Sequence, residues 1–268
     1  VASQQQPNMT RQYIWLVRYG LTEHQLVEGT GPYDSDIHPE TGVEHANAIA
    51  NAIAKVANAR PAFVYSDPFL RCTHTANIIA RTLNCTHRIE EGVTEWLVPS
   101  LLVNQDGVRT DPRSVAELKQ LFSSIDDSYT SLNPVDESDN PPKGAPHFEE
   151  TEQALYDRVS LTLDRLFEHH KKENDSICIV SHAPCLQAMA LTMEGKAGDP
   201  SSTSFGPWSL GGITRFSRPI DDDDTNNDTN NRASERWTCD FYSATEHMPG
   251  EYKAGVKGAW SLPSFVRK

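Results

Sequence analysis

Three short apolar runs in this chain each lead into a residue suited to gripping an anion. Tyr13-Ile14-Trp15-Leu16-Val17 ends in Arg18-Tyr19-Gly20. Phe63-Val64-Tyr65-Ser66 runs into Asp67-Pro68-Phe69-Leu70-Arg71, and the run from Ser176-Ile177 through Ile179 reaches Ser181-His182-Ala183. An apolar run that ends in a charged residue or glycine reads as a buried strand opening into a functional loop. Guanidinium groups offer a planar fork of donors that matches phosphate oxygens and stays charged at any useful pH. In parallel α/β sheets, ligands bind beyond the carboxyl ends of the strands, where Arg18, Arg71 and His182 would project. Helices starting just after two of these strands would add backbone N–H donors. Taken singly, each residue has a plainer role, as a surface ion pair or one structural histidine among 10. Two arginines and an imidazole at three strand ends make a phosphate site.

The elements that must hold these residues follow from periodicity. Tyr13 to Val17, Ala62 to Ser66, Arg88 to Glu90 and Ser176 to Ser181 read as strands, the last fully apolar as expected at the centre of a covered sheet. Gly212 to Ser217 and Trp237 to Tyr242 read as two late strands. Ala46, Ile49, Ala50, Ile53 and Ala57 repeat at helical spacing after Gly42, as do Ala76, Ile79, Ala80 and Leu83. Val115, Leu118, Leu121 and Phe122 mark a modest helix. Leu155, Val159, Leu163, Leu166 and Phe167 mark a long one over about 149–170, and Cys185 to Met193 is helical. This alternation predicts an α/β fold: a single-domain three-layer sandwich with a mainly parallel central sheet and helices on both faces. Residues 1–11 read as a disordered lead-in and residues 12–268 as the domain, with a polar insertion at about 219–235 that holds Asp221 to Asp224.

Composition narrows the function. The 268 residues are 37% hydrophobic, with a formal net charge of −13, so polar loops dilute an ordinary core. That charge argues against nucleic acid or an anionic membrane as partner, since either needs a basic face. A local pair of arginines still governs a small pocket. No stretch approaches the roughly 20 apolar residues of a membrane span, and Val1 to Gln6 lacks the pattern of a secretory signal. A cytoplasmic location is the resulting expectation. The five cysteines (Cys72, Cys85, Cys178, Cys185 and Cys239) are odd in number and scattered, without metal-type spacing, which speaks against a disulfide framework or a zinc site.

Three segments carry a specific resemblance: Leu16 to Thr22, Tyr65 to Ala76, and Val180 to Ala183. They resemble the histidine phosphatase superfamily in its phosphoglycerate-mutase-like branch. Glu90-Glu91-Gly92-Val93-Thr94-Glu95-Trp96 is similar to that branch's acid-bearing loop, and Trp237 to Phe241 with Thr245 to Met248 is similar to its closing strand and tail. The resemblance covers roughly residues 13–250. It implies a phosphoglycerate-mutase-like fold in which Arg18, Arg71 and His182 clasp a phosphate and Glu95 protonates the leaving oxygen. Thr22 would sit at the pocket rim, and Gln25 where many members carry asparagine. Leu21 replaces a frequent acidic residue, which favours a phosphatase over a mutase. The implied mechanism uses arginine donors in place of metal ions, so no metal and no organic cofactor is expected. The implied partner is a phosphorylated small molecule or a phosphoprotein, with a protein partner or homodimer also open.

One position departs from the pattern. The family's nucleophile is a histidine directly after the first arginine, and here that residue is Tyr19. A phenol is mostly protonated at neutral pH. An aryl phosphate on tyrosine also lacks the protonated-imidazole leaving group that makes phosphohistidine labile, so turnover should be severely reduced. Three readings of the site stay open. It belongs to a degenerate phosphatase that binds a phosphate ester; to an active phosphomonoesterase in which Tyr19 is an introduced change or part of altered chemistry; or to a non-catalytic interaction subunit. His24 and His74 are conceivable substitutes for the missing nucleophile, although a loop residue and an exposed helix residue are the plainer assignments. Trp96 and Trp208 either line the pocket mouth or cap the core, and the loop at 133–147 is either a lid or a passive excursion.

Overall fold

Alternate residues of the central strands face two separate hydrophobic layers, and this splits the molecule into three. The structure, a computed structural model, describes residues 11–22, 34–96, 112–136, 143, 150–171, 173, 175–197, 205–220 and 237–261. Its strands are β1 (Arg11–Arg18), β2 (Phe63–Ser66), β3 (Thr86–Ile89), β4 (Ile177–Ser181), β5 (Ile213–Pro219) and β6 (Thr238–Ala244). They form one six-stranded sheet in the order β3-β2-β4-β1-β5-β6. The first four are mutually parallel, and β5 and β6 extend the sheet in antiparallel fashion from β1.

The helices are α1 (Thr41–Ala54), α2 (Leu70–Leu83), α3 (Val115–Leu121), α4 (Glu152–His169) and α5 (Ala183–Met193). Ile14, Leu16, Ile177 and Ile179 pack with Leu155, Val159, Leu163 and Leu166 of α4 and with α5. Their neighbours Trp15, Val17, Cys178 and Val180 pack on the opposite face with Ile49 and Ile53 of α1 and Ile79 of α2. Each large aliphatic side chain buried this way contributes about 1.5–3 kcal/mol. The expected α/β sandwich, with a mostly parallel sheet covered on both faces, is therefore the observed one.

Strand register brings the site together. Arg18 pairs with Ser181 across β1 and β4, and Ser66 pairs with Val180 across β2 and β4. Asp67 and His182 are the next residues along their strands, so they emerge at one sheet edge beside Arg18. Two expectations about element ends need correction. Arg71 lies in the first turn of α2, not on a strand end, because α2 begins at Leu70. Strand β1 begins at Arg11, inside the segment read as a lead-in, and Arg11 Nη2 is held by Ser217 Oγ at 2.8 Å. The polar insertion expected at about 219–235 falls outside the described residues from 221 onward, while Pro219 belongs to β5.

Candidate functional site

Arg18 ends strand β1, and the other side chains of the site follow closely on strand ends or helix starts. Gly20 follows Tyr19 where a Cβ would meet the Gly42 carbonyl oxygen at 2.7 Å, so only glycine lets the loop pass α1. The turn into α2 is fixed by carboxylates: Phe69 N–H donates to Asp67 Oδ1 at 3.0 Å, and Leu70 N–H donates to Asp34 Oδ1 at 2.7 Å. Arg71 therefore stands at a helix start with its direction set. His182 is the N-cap residue of α5, and Pro184 in the first turn suits a helix beginning there. Glu95 follows the 3-10 turn Glu91–Val93.

The structure brings Arg18, Tyr19, Arg71, Glu95 and His182 into one cluster. His182 Nδ1 lies 2.6 Å from Glu95 Oε2, while its Nε2 faces Asp67 Oδ2 in a close ion pair. Arg71 Nη2 is 3.7 Å from the same Glu95 oxygen and 3.3 Å from His182 Nδ1. The Tyr19 ring stands among these groups. Its centroid is 5.1 Å from that of His182 in an edge-on arrangement, 5.2 Å from the Arg71 guanidinium carbon and 5.7 Å from that of Arg18. Tyr19 is itself buried, as are both arginines.

Electrostatics follow from these contacts. Burial disfavours the charged imidazole of His182, but Asp67 and Glu95 outweigh it and raise the proton affinity above the ordinary 6.5. Burial pushes Glu95 the other way, and the neighbouring His182 and Arg71 overcome it, so the carboxyl titrates below its usual range. The resting proton thus sits on His182, with Glu95 ionised. Asp67, Cys72 and His182 form the group among the described residues whose donor atoms, within 4.8 Å of one another, could meet a metal ion. The Cys72 thiol, however, is pushed well up by burial and by Asp67, and a thiol that keeps its proton is a poor ligand. Both His182 nitrogens already face carboxylates. The trio fits a hydrogen-bonded brace for the imidazole better than a metal centre.

Behind Glu95 lies a second arrangement that apolar periodicity hides. Arg158 of α4 is fully buried and uses all its donors: Nε and Nη2 each contact Glu150 at 2.7 Å, and Nη1 donates to the Gly92 and Thr94 carbonyls at 2.9 and 3.0 Å. Nη2 also reaches the Glu95 carbonyl at 3.3 Å. Ser181 Oγ donates to the Val93 carbonyl at 2.6 Å. Buried Glu90 accepts from Gly92 N–H, Tyr129 Oη, Ser131 Oγ, Leu132 N–H and Asn133 N–H. From Gly92 to Glu95, every carbonyl of the acid-bearing loop takes a hydrogen bond from Arg158 or Ser181. A signal for Arg158 was present, since it falls within the apolar stripe, three residues after Leu155 and one before Val159.

Arg18 is held differently. Its Nη1 donates to the carbonyls of Trp208 and Gly258, both at 2.7 Å, and its Nε–H is buried without a hydrogen-bond partner among the described residues. Among the other candidates, Thr22 is buried and pairs through its backbone with Ile37, and His74 contacts Asp36 at 2.9 Å on the outer side of α2. Gln25 and His24 lie outside the described residues. Trp96 and Trp208 are both core residues, their indole N–H groups donating to the Glu150 carbonyl at 3.0 Å and to Gln187 Oε1 at 2.6 Å. Much of the 133–147 loop is likewise outside the described residues.

Comparison with known proteins agrees with this fold. Residues 14–101 match the model of the histidine phosphatase superfamily (branch 1). The chain is 31% identical over 191 residues to a metal-independent phosphoserine phosphatase of Arabidopsis thaliana, covering 69% of this chain and 71% of that protein. The chain belongs to the histidine phosphatase superfamily. It is also 28% identical over 193 residues to the transcription factor tau 55 kDa subunit of Saccharomyces cerevisiae, where the match covers 68% of this chain and 41% of that subunit's length. Among solved structures, the phosphoserine phosphatase of Entamoeba histolytica in complex with 3-phosphoglyceric acid superposes with a TM-score of 0.55. That match has 19% identity and covers 89% of this chain and all of the other, which shows a shared fold. No helix among the described residues is long and apolar enough to cross a membrane.

Proposed function

We propose that this domain binds a phosphate ester between Arg18, Arg71 and His182 and hydrolyses it poorly, because Tyr19 occupies the position of the nucleophilic histidine. The observation that carries this reading is the placement of both guanidiniums and the imidazole within 6 Å of the Tyr19 ring. With all groups ionised, three cations face two carboxylates, and the surplus positive charge suits an anion. Buried charge of this kind is costly when unmatched, and an anionic ligand supplies the match. The likeness to phosphoserine phosphatases supports a small phosphomonoester as the ligand class.

Catalysis is where the site falls short. In-line attack needs a nucleophile whose phosphoryl adduct breaks down readily. Tyr19 would give a stable aryl phosphate, and Glu95, held ionised by His182 and Arg71, starts without the proton a leaving oxygen requires. Under this reading that proton comes from His182 through Glu95.

Calorimetric titration with inorganic phosphate and with tungstate tests the binding half. The native chain should bind both, and Arg71→Ala should weaken binding by about 10- to 100-fold, the effect of losing a hydrogen bond to a charged group. A native chain that binds neither anion would refute phosphate recognition. It would favour a second reading, an interaction subunit, which the likeness to a transcription factor subunit supports.

A further inference from the structure

The guanidinium of Arg18 is gripped by a part of the chain far from it in sequence. The Gly258 carbonyl that takes one Nη1 hydrogen belongs to a segment following the 3-10 turn Gly250–Ala254. That segment is built into the molecule at several points. Tyr252 is buried edge-on against His45, centroid to centroid 4.4 Å. Thr245 Oγ1 donates to the Lys253 carbonyl at 3.0 Å, and Ser209 Oγ donates to the Gly255 carbonyl at 2.7 Å. Trp208 and Trp260 exchange both backbone hydrogen bonds, at 2.7 and 2.9 Å. The path also needs two left-handed residues, Gly255 at φ 71° and Gly258 at φ 68°. At Gly258 a Cβ would run into the Leu210 side chain.

The consequence lies in which donors this grip consumes. Both hydrogens of Nη1 go to carbonyls, one from Trp208 and one from Gly258. The edge of the guanidinium formed by Nε and Nη2, the side-on fork that meets two oxygens of a carboxylate or phosphate at once, is left. Its Nε–H is buried without a partner among the described residues, and a buried donor in that state costs stability unless something accepts from it. Arg71, by contrast, directs Nη2 at Glu95 and His182.

We propose that residues 255–260 are a positioning strap, which through the Gly258 carbonyl turns the Nε edge of Arg18 toward a bound phosphoryl group. The proposal rests on the phosphate-binding reading above and adds the element that orients one of its two arginines. Gly258 is a positioning residue here, because it acts on the anion through Arg18. Lifting the strap frees Nη1 to rotate, and the fork loses its fixed aim.

The test uses the whole chain, Gly258→Pro, in which a ring-locked φ near −65° is incompatible with the observed backbone, and the milder Gly258→Ala. Two readouts are needed: the Kd for inorganic phosphate, and the 15N-detected guanidinium signals of Arg18, assigned by their absence in Arg18→Lys. Slow rotation of the Arg18 Nη1 group is expected in the native chain and fast rotation in Gly258→Pro. The Kd should rise about tenfold in Gly258→Pro, as for one misdirected charge-assisted contact, and less in Gly258→Ala. Thermal melts identify any variant that fails to fold, and the graded Ala variant then decides. Unchanged affinity alongside a freed Arg18 would overturn the positioning role, as would an Arg18 signal already mobile in the native chain. If the native chain holds Arg18 rigid yet binds no phosphate, the phosphate-binding reading fails, and the strap is only a structural tie.

Discussion

The two halves of the site are built by opposite means. The acid half, with Glu95, His182 and Asp67, is braced by side chains of the core: Arg158 and Glu150 at the peptides of the loop, Ser181 at Val93, and Glu90 at the adjoining turn. The clasp half centres on Arg18, which hangs from two backbone carbonyls contributed by residues 190 and 240 positions away. In the acid half the Arg158 donors are all used. In the clasp half a buried donor, Arg18 Nε, has no partner among the described residues. The Arg158 donors, all taken, set the geometry of the loop, even though the Thr94 hydroxyl within it is buried without a hydrogen-bond partner among the described residues. An open donor at the end of a fixed lever is where a ligand belongs. Under the proposed function, the frame of the acid half does not depend on the residue at position 19, so recognition would outlast turnover.

The comparison breaks most visibly at Arg158. Arg158→Met should cost about 3–5 kcal/mol of unfolding free energy by leaving Glu150 buried and unpaired. Urea denaturation measures this, and a loss under about 1 kcal/mol would mean that the acid loop is not braced as described. Next comes Gly92→Ala, whose Cβ would press within 2.8 Å of Asn133 Cβ and Thr162 Cγ2. An overpacked core of this kind costs about 1–3 kcal/mol, again read from denaturation.

A pH experiment sharpens the acid half further. The folded His182 value is raised above 6.5, so its contribution is complete below 6.5 and fades as pH rises through the raised value. Glu95 is lowered from 4.5, so its contribution is present above 4.5 and is lost as pH falls through the lowered value. The stability gap between the native chain and Glu95→Gln should therefore be widest between those limits. The NMR titration midpoint of His182 should fall in the variant, and an unmoved midpoint would separate the two residues. The smallest effect is expected at Val256→Ser on the strap. That side chain is 77% exposed, so stability should shift by no more than about 0.5 kcal/mol and phosphate affinity should hold, since the strap works through its backbone.

Much of this was legible from the chain alone, for identifiable reasons. The apolar run Ile177 to Val180 marked a central strand because both faces of β4 are covered. The grammar of strand, then charged residue, placed Arg18 and His182 at one edge because parallel strands must end together. Arg71 was assigned to a strand end because apolar spacing becomes visible only from Ala76 on, whereas α2 starts at Leu70 on caps supplied by Asp67 and Asp34. Arg158 was visible only as a polar residue interrupting an apolar stripe, a signal that does not say what it binds. Glu150, which precedes that helix, and Gly258 were not legible, the latter because it acts through a carbonyl oxygen, which every residue type possesses.

The account stands most directly on Tyr19. Hydrolysis of an aryl phosphate should be measured side by side for the native chain and for Tyr19→His under identical conditions. An intact pocket that lacks only its nucleophile predicts near-background turnover in the native chain and a rise of at least about 100-fold in Tyr19→His, roughly 2.7 kcal/mol of barrier. Equal and substantial turnover in both proteins would contradict the claim that Tyr19 is what limits this site.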